Sequence, residues 1–243
     1  MRVTRRKGPL PSPNTFPELL LTIIALSGEV PSALVSRLPG SDSYKAYAIK
    51  ILKREKLLRT YYHDGLRGLR LTTTAKRLLA AGQPDRYRPL FTGDTATNAP
   101  KYSVPHRLRL HRMADVLVAA YNAGLLTFPW EKPSVFQTEP GDTNLYIGPA
   151  YYSSREVKEI GAQATMIRGS RSTGILLCDG GIYAVYNTAS ARMKWEYKAE
   201  VRLKAMIQTD LCHGRLARWL MDSPPGAIVF GDGMDQLEHL MGP

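Results

Sequence analysis

Hydrophobic residues recur at helical spacing through the first part of the chain, and short polar breaks divide them into segments. Thr15 and Glu18 have the spacing of a capping box and open an apolar helix that Gly28 ends. A second short helix is predicted from Pro31 to Leu38, because proline suits the first position of a helix. These two helices would form one side of a small helical core.

A third helix is predicted next, capped by Ser41 or Asp42 and running to about Lys56. On a helical wheel of about 100° per residue, Leu52 lies on an apolar side that we expect to face the first two helices. The other members of this apolar side are Tyr44, Ala48 and Ile51. The opposite polar face carries Ser43, Tyr47, Lys50 and Arg54, with Lys53 at its border. Three helices in this order are typical of the helix-turn-helix class.

After the third helix the pattern changes from helical to alternating. Short strands are predicted at 57–62 and 69–72, with Asp64-Gly65 as the turn and Gly68 as a second flexible point. A fourth helix is predicted over 74–81. A hairpin after three helices is the wing of a winged helix-turn-helix, so the pattern predicts that fold.

The charge distribution adds a function to this fold. The 243-residue chain has a net charge of +12, and residues 1–88 hold 17 Lys or Arg against 6 Asp or Glu. The remaining residues are nearly balanced, with 16 basic and 15 acidic side chains. A localised basic surface favours a phosphate backbone. We therefore predict binding of double-stranded DNA, through these side chains: Ser43, Tyr47, Lys50, Lys53 and Arg54 of the third helix, His63, Arg67 and Arg70 of the hairpin, and Arg5 and Arg6 of an N-terminal arm.

The second half of the chain predicts a separate domain of mixed type. Residues 82–103 are rich in Gly, Pro, Thr, Asn and Asp and predict a linker or an extended crossing segment, and 127–152 are irregular and aromatic. The predicted helices are 105–126, a short one from Ser153 or Ser154 to Ile160, 194–208 and 234–241, and the predicted strands are 162–167, 174–178, 182–186 and 227–230. The start of the long helix carries Arg107, Arg109, His111 and Arg112, which predict a solvated face or an extension of the DNA-facing surface. The fold class is therefore α+β, with a winged helix over 1–88 and a small α/β domain over 104–243.

This domain order resembles the replication-relaxation family of bacterial plasmids and conjugative elements. The segments that carry the resemblance are Leu69-Arg-Leu-Thr-Thr-Thr-Ala-Lys76 and the hairpin Gly174-Ile-Leu-Leu-Cys-Asp-Gly-Gly-Ile-Tyr-Ala-Val-Tyr-Asn187. The resemblance implies a restriction-endonuclease-like second domain, in degenerate form here. It also implies a role in replication or in the relaxosome, with other proteins of those assemblies as possible partners.

An active nuclease of that fold needs two carboxylates and a lysine around a magnesium ion. Asp179 is placed for one carboxylate, but the following strand supplies neither the second carboxylate nor the lysine. Glu196 and Lys198 have the right identities, but the apolar spacing around them predicts the start of a helix. We therefore expect no catalytic residues, and keep a metal-dependent nuclease using these three residues as the alternative.

The sequence gives less support to other classes of function. Cys178, Cys212 and His213 lack the usual zinc-ligand spacing, so no metal or cofactor is expected. A relaxase could use Tyr61-Tyr62 or Tyr151-Tyr152, but the five histidines form no metal-binding cluster. A transcriptional regulator with a ligand-sensing second domain stays open. Only two cysteines, and no apolar run near the roughly 20 residues of a membrane span, predict a cytoplasmic protein without a membrane partner.

Overall fold

The computed structural model describes residues 10–92, 103–132, 148–158, 167, 169–178, 181–189, 195–208 and 224–233. It contains helices and two β-sheets, which confirms the predicted α+β class. The chain divides into an N-terminal unit, Met1–Val118, and a C-terminal unit, Ala119–Pro243. This division falls inside the long helix, whereas the sequence-based domains left that helix wholly in the second domain.

The N-terminal unit places a three-stranded antiparallel sheet, in the order β1-β3-β2, among its helices. Its elements are α1 (Phe16–Ser27), β1 (Val30–Pro31), a 3₁₀ helix (Ser32–Arg37), α2 (Asp42–Arg54), β2 (Leu58–His63), β3 (Leu66–Leu71), α3 (Thr73–Gly82), α4 (Pro84–Tyr87) and the first part of α5 (Val104–Asn122). The pattern missed β1, because two residues are too few to show alternation, and it assigned Pro31 to the following helix.

Helix α1 forms the centre of this unit, and Leu20, Leu21 and Ile23 have no exposed surface. Thr15 is its N-cap, as predicted, but the capping box is not formed. The Thr15 hydroxyl donates to the carbonyl of Ser12 at 2.7 Å, and it accepts no hydrogen bond from the first turn of α1. The predicted start of the helix is therefore right and the predicted capping contact is wrong.

Helix α2 begins at the predicted cap, since the Ser41 hydroxyl accepts a hydrogen bond from the Tyr44 amide at 3.4 Å. Leu52 is 3% exposed, which confirms the predicted helix phase. Tyr44 was expected on the buried side but is 44% exposed. Lys45 takes the inward position instead, because its ammonium donates to the carbonyls of Ser36 and Leu38 at 2.8 and 3.1 Å.

The hairpin is tighter than predicted. Strands β2 and β3 pair up to His63 and Leu66, so the turn consists of Asp64 and Gly65 alone, with φ of 48° and 74°. Two positive φ values are the backbone that a type I′ hairpin turn requires. Gly68, predicted as a flexible point, is instead a buried residue of β3.

Part of the predicted linker packs onto the N-terminal unit. Tyr87 in α4 is fully buried, and its hydroxyl shares a 2.7 Å hydrogen bond with the Thr22 hydroxyl of α1. Leu90 is buried as well. Residues 82–92 therefore belong to the folded unit, and the rest of the predicted linker, up to 102, lies outside the described residues.

The C-terminal unit contains a four-stranded mixed sheet in the order β4-β5-β6-β7. Its described elements are β4 (Ala150–Ser153), α6 (Ser154–Lys158), β5 (Gly174–Cys178), β6 (Gly181–Ala189), α7 (Tyr197–Met206) and β7 (Gly226–Gly231). The first three strands are antiparallel, and β7 returns parallel to β6. The predicted β5, β6, α7 and β7 are confirmed, whereas β4 falls in a segment predicted as irregular.

The core of this sheet includes Ile175, Ile182 and Leu203, which join β5, β6 and α7. Of the predicted strand 162–167 only Ile167 is described, and it lies in a turn. The predicted helix 234–241 lies outside the described residues.

Candidate nucleic-acid interface

The outer face of α2 is a cluster of exposed polar and basic side chains. All five predicted residues of this face are exposed: Ser43, Tyr47, Lys50, Lys53 and Arg54. Tyr47 is 62% exposed, although a tyrosine ring gains from burial. Within the described part of the chain, Lys50 and Lys53 have no ion-pair partner, while Arg54 lies 3.3 Å from the Glu55 carboxylate. The face thus offers a ring, a hydroxyl and cations that intramolecular acids leave largely uncompensated.

The tip of the hairpin adds a second exposed group. Arg67 is exposed and stands opposite Tyr62, which is 70% exposed, in the strand register. The ring of His63 is half exposed, and its Nδ1 lies 2.8 Å from the Asp64 carboxylate. Arg67 and His63 therefore stand at the surface, as an interface requires.

Arg70 must be removed from the predicted interface. It is only 5% exposed, and its Nε and Nη2 lie 2.7 and 2.5 Å from Oε2 of Glu29. Its guanidinium also lies 4.2 Å from the centre of the Tyr61 ring. The partner carboxylate is 41 residues away in sequence, so local strand patterning could not distinguish this arginine from Arg67.

Glu29, which the sequence analysis did not single out, is the centre of a buried charge cluster. It follows Gly28, the C-cap of α1, and has no exposed surface. Besides Arg70, it accepts hydrogen bonds from Nη2 of Arg107 at 2.6 Å, and its Oε1 lies 2.9 Å from Nε2 of His111. Burial alone would raise the pKa of the Glu29 carboxyl, but the hydrogen bonds from His111, Arg107 and Arg70 lower it from 4.5 to about 2. The carboxylate is therefore ionised throughout the physiological range.

Arg107 links this cluster to the hairpin. It is fully buried, and it donates to the carbonyls of His63 at 2.9 Å, Leu66 at 3.1 Å and Tyr61 at 3.4 Å. These three carbonyls belong to both strands of the hairpin, next to the turn. Arg107 was predicted on a solvated or DNA-facing surface, and that prediction is wrong. The first part of α5 instead fixes the hairpin against the carboxylate of Glu29.

Gly68 lets Glu29 reach this position. A Cβ on Gly68 would lie 2.0 Å from Oε1 of Glu29 and 2.6 Å from its Cγ and Cδ. Such distances are far shorter than van der Waals contact, so any side chain there would displace the carboxylate. The glycine of β3 is required for close approach, and it does not serve as a turn residue.

The C-terminal unit has its own buried cation. Lys132 donates to the carbonyls of Thr127, at 3.0 Å, and of Tyr151, and its ammonium lies 2.9 Å from the Glu156 carboxylate. Burial lowers the pKa of Lys132, and the nearby charge of Glu156 opposes that shift. The three donors of the ammonium all have acceptors, which gives Lys132 a structural role beside β4.

The structure describes only some of the residues considered for a nuclease or a metal site. Asp179, Cys212 and His213, like Arg5 and Arg6 of the predicted arm, lie outside the described residues. Glu196 is the N-cap of α7 and Lys198 lies in its first turn, which confirms that this pair marks the start of a helix. No group of three or more His, Cys, Asp or Glu side chains suited to a metal ion occurs among the residues that the structure describes.

The tyrosines considered as nucleophiles differ in their exposure. Tyr151 and Tyr152 are each 2% exposed, and the Tyr151 hydroxyl donates to the carbonyl of Thr173 at 2.7 Å. Burial raises the pKa of both phenols, which disfavours the phenolate form. Tyr61 packs beneath Arg70 and Arg107, and Tyr62 alone of the four is exposed.

In comparisons with known proteins, no family model, curated protein or solved structure matches the chain. No helix within the described ranges combines the length and the apolar character that crossing a membrane requires.

Proposed function

We propose that the N-terminal unit is a winged helix-turn-helix that binds double-stranded DNA. In this proposal α2 is the recognition helix in the major groove, and the β2–β3 hairpin is the wing. The exposed basic face of α2 is the observation that carries the proposal. Lys50, Lys53 and Arg54 would contact phosphates or base edges, and Ser43 and Tyr47 add hydrogen-bonding groups on the same face.

The distribution of charge within the unit supports this assignment. The buried arginines, Arg70 and Arg107, are compensated by the carboxylate of Glu29. The cations of α2 and Arg67 of the hairpin lie at the surface, where they are available to an anionic partner. A wing that carries an exposed arginine fits a narrow minor groove or the phosphate backbone.

Titration of a labelled DNA duplex with the full-length chain tests the proposal by fluorescence anisotropy, between 50 and 200 mM salt. With roughly six phosphate contacts, the affinity should fall on the order of a thousandfold over this range. Arg54→Ala should weaken binding by about 1 to 3 kcal/mol and lower the salt slope by about one. Arg77→Ala on α3 is the matched control, because Arg77 is exposed and its loss changes the net charge equally.

Two results would overturn the proposal. One is a folded protein that fails to bind duplex DNA at 50 mM salt. The other is an equal loss of affinity in the Arg54→Ala and Arg77→Ala proteins, since that would indicate general charge attraction without a defined face.

We propose further that the protein acts as a non-enzymatic factor in replication or in the relaxosome of a plasmid or conjugative element. This part rests on the family resemblance of the sequence. Sequencing of the genomic fragments that the protein selects distinguishes an origin from a promoter, and a promoter would favour the transcriptional regulator. Magnesium-dependent nicking of supercoiled plasmid that disappears in the Asp179→Ala protein would instead favour the nuclease.

A further inference from the structure

Exposed large apolar side chains of the described residues fall into two groups. They are Tyr44, Tyr47 and Tyr62 in the N-terminal unit, and Trp195, Tyr197 and Val201 in the C-terminal unit. The first group lies on α2 and the hairpin, the elements proposed to contact duplex DNA. The second group lies on α7 and just before it, and has no role in that proposal. Tyr197 is the most exposed of the six, at 80%.

Helix α7 has a distinct inner and outer face. Its inner face consists of Ala199, Leu203, Met206 and Ile207, which are all buried, and the last three belong to the core of the sheet. At about 100° per residue, Tyr197 and Val201 lie on the opposite side of the helix. Trp195 precedes the helix, is 39% exposed and packs edge-on against Tyr186, with ring centres 5.2 Å apart. The outer face therefore presents one free aromatic ring and a second, anchored ring close to it in the chain.

The basic side chains of α7 are exposed, whereas the acidic side chain within the helix points inward. Lys198, Arg202 and Lys204 are exposed, and none of them has an ion-pair partner in the part of the chain that the structure covers. Glu200, the acid within the helix, is directed inward. Its carboxylate accepts hydrogen bonds from the Ser170 hydroxyl at 2.9 Å, the Arg171 amide at 2.7 Å and the Tyr186 hydroxyl at 2.8 Å. Glu196 at the N-cap is the acid that remains exposed, so the outer face is net cationic.

We propose that this outer face of α7 binds single-stranded DNA, as a second nucleic-acid surface independent of α2. Unpaired bases present their faces to solvent and stack on exposed aromatic side chains, while flanking cations contact the phosphates. A duplex hides the faces of its bases, so an exposed ring such as Tyr197 has little to stack on there. The exposed cations of α7 would repel a positively charged partner, which excludes a basic protein. The combination of ring and cations fits an unpaired strand better than an acidic polypeptide, which offers no bases.

The test uses the full-length chain and a fluorescein-labelled oligothymidylate of about 20 nucleotides. Tyr197→Ala should weaken binding of this strand about tenfold, whereas Tyr197→Phe, which keeps the ring, should stay within about twofold of the parent protein. Lys198→Ala and Arg202→Ala should each weaken binding and reduce the salt slope by about 0.7. Arg77→Ala, outside both surfaces, is the control for loss of one positive charge.

Binding of a DNA duplex by the same variants separates this proposal from the proposed function. Tyr197→Ala should leave duplex affinity unchanged, and Arg54→Ala should lower it. If every α2 variant binds the duplex as tightly as the parent protein does, the proposed role of α2 is refuted. The α7 proposal is unaffected by that result. Equal oligothymidylate affinity of the Tyr197→Ala and parent proteins would overturn the α7 proposal. Displacement of the oligothymidylate by polyglutamate at matched charge would overturn it too. That result would mean that the outer face of α7 binds any polyanion and that base stacking contributes nothing.

Discussion

Replacement of Arg107 by methionine tests whether α5 holds the hairpin in place. The change keeps a long apolar stem but removes the guanidinium that joins the carboxylate of Glu29 to three carbonyls of the hairpin. The carboxylate would keep its contacts with Arg70 and His111. The three carbonyls would lose a charged donor in a site where Arg107 has no exposed surface.

Removal of one partner from a buried ion pair costs about 3 to 5 kcal/mol. Because Glu29 keeps Arg70, we expect a loss near the lower end, about 3 kcal/mol. Arg107→Lys retains the charge but lacks the planar fork that reaches several acceptors at once, so about half of that loss is expected. Arg37→Met is a matched control, because Arg37 pairs with Asp115 of the same helix while both side chains are at least a third exposed. An exposed pair contributes about 1 kcal/mol or less.

Hydrogen exchange read by mass spectrometry is the suitable assay. It reports on the backbone amides of β2 and β3 directly, whereas none of the three tryptophans of the chain, at 130, 195 and 219, belongs to the hairpin. A loss of about 3 kcal/mol in opening free energy speeds the exchange of the β2 and β3 amides on the order of a hundredfold. Hairpin exchange in the Arg107→Met protein that matches the Arg37→Met protein would refute the reasoning.

Two further predictions concern the same cluster. The folded pKa of Glu29, about 2, lies below the 4.5 of the unfolded chain, so its stabilisation is complete above about pH 4.5 and is lost as the pH falls through 2. Urea unfolding measured from pH 6 to pH 2 should show that the free energy of unfolding of the parent protein falls by about 3 kcal/mol more than that of the Glu29→Gln protein. Parallel plots of unfolding free energy against pH for the two proteins would contradict this. Gly68→Ala should destabilise the protein by about 3 to 5 kcal/mol, because the new Cβ displaces the Glu29 carboxylate from Arg70 and Arg107. Gly233→Ala, where no atom lies within 4 Å of the new Cβ, should leave the melting temperature unchanged, and equal effects would exclude the proposed crowding.

Local sequence determined most of the helices and strands of this protein. Ser41 caps α2, and Asp64-Gly65 closes the hairpin, because each acts on backbone groups within a few residues. The phase of α2 followed from the spacing of its apolar residues, and Leu52 is buried as that spacing requires. The exposed basic face of α2 is the other side of the same helix, so it too was visible in the sequence.

Tertiary structure alone decided which charged residues are inside. Arg67 and Arg70 belong to one short strand, yet the first is exposed and the second is buried against Glu29. Arg107 lies 78 positions beyond Glu29, and Gly68 is required only because that carboxylate approaches it. Hydrophobic periodicity reports the conformation of neighbouring residues, whereas a buried charge is stabilised by partners that folding brings together from distant segments. The sequence therefore determined the elements and the basic surface of α2, and the packing of α1, β3 and α5 decided the arginines of the interior.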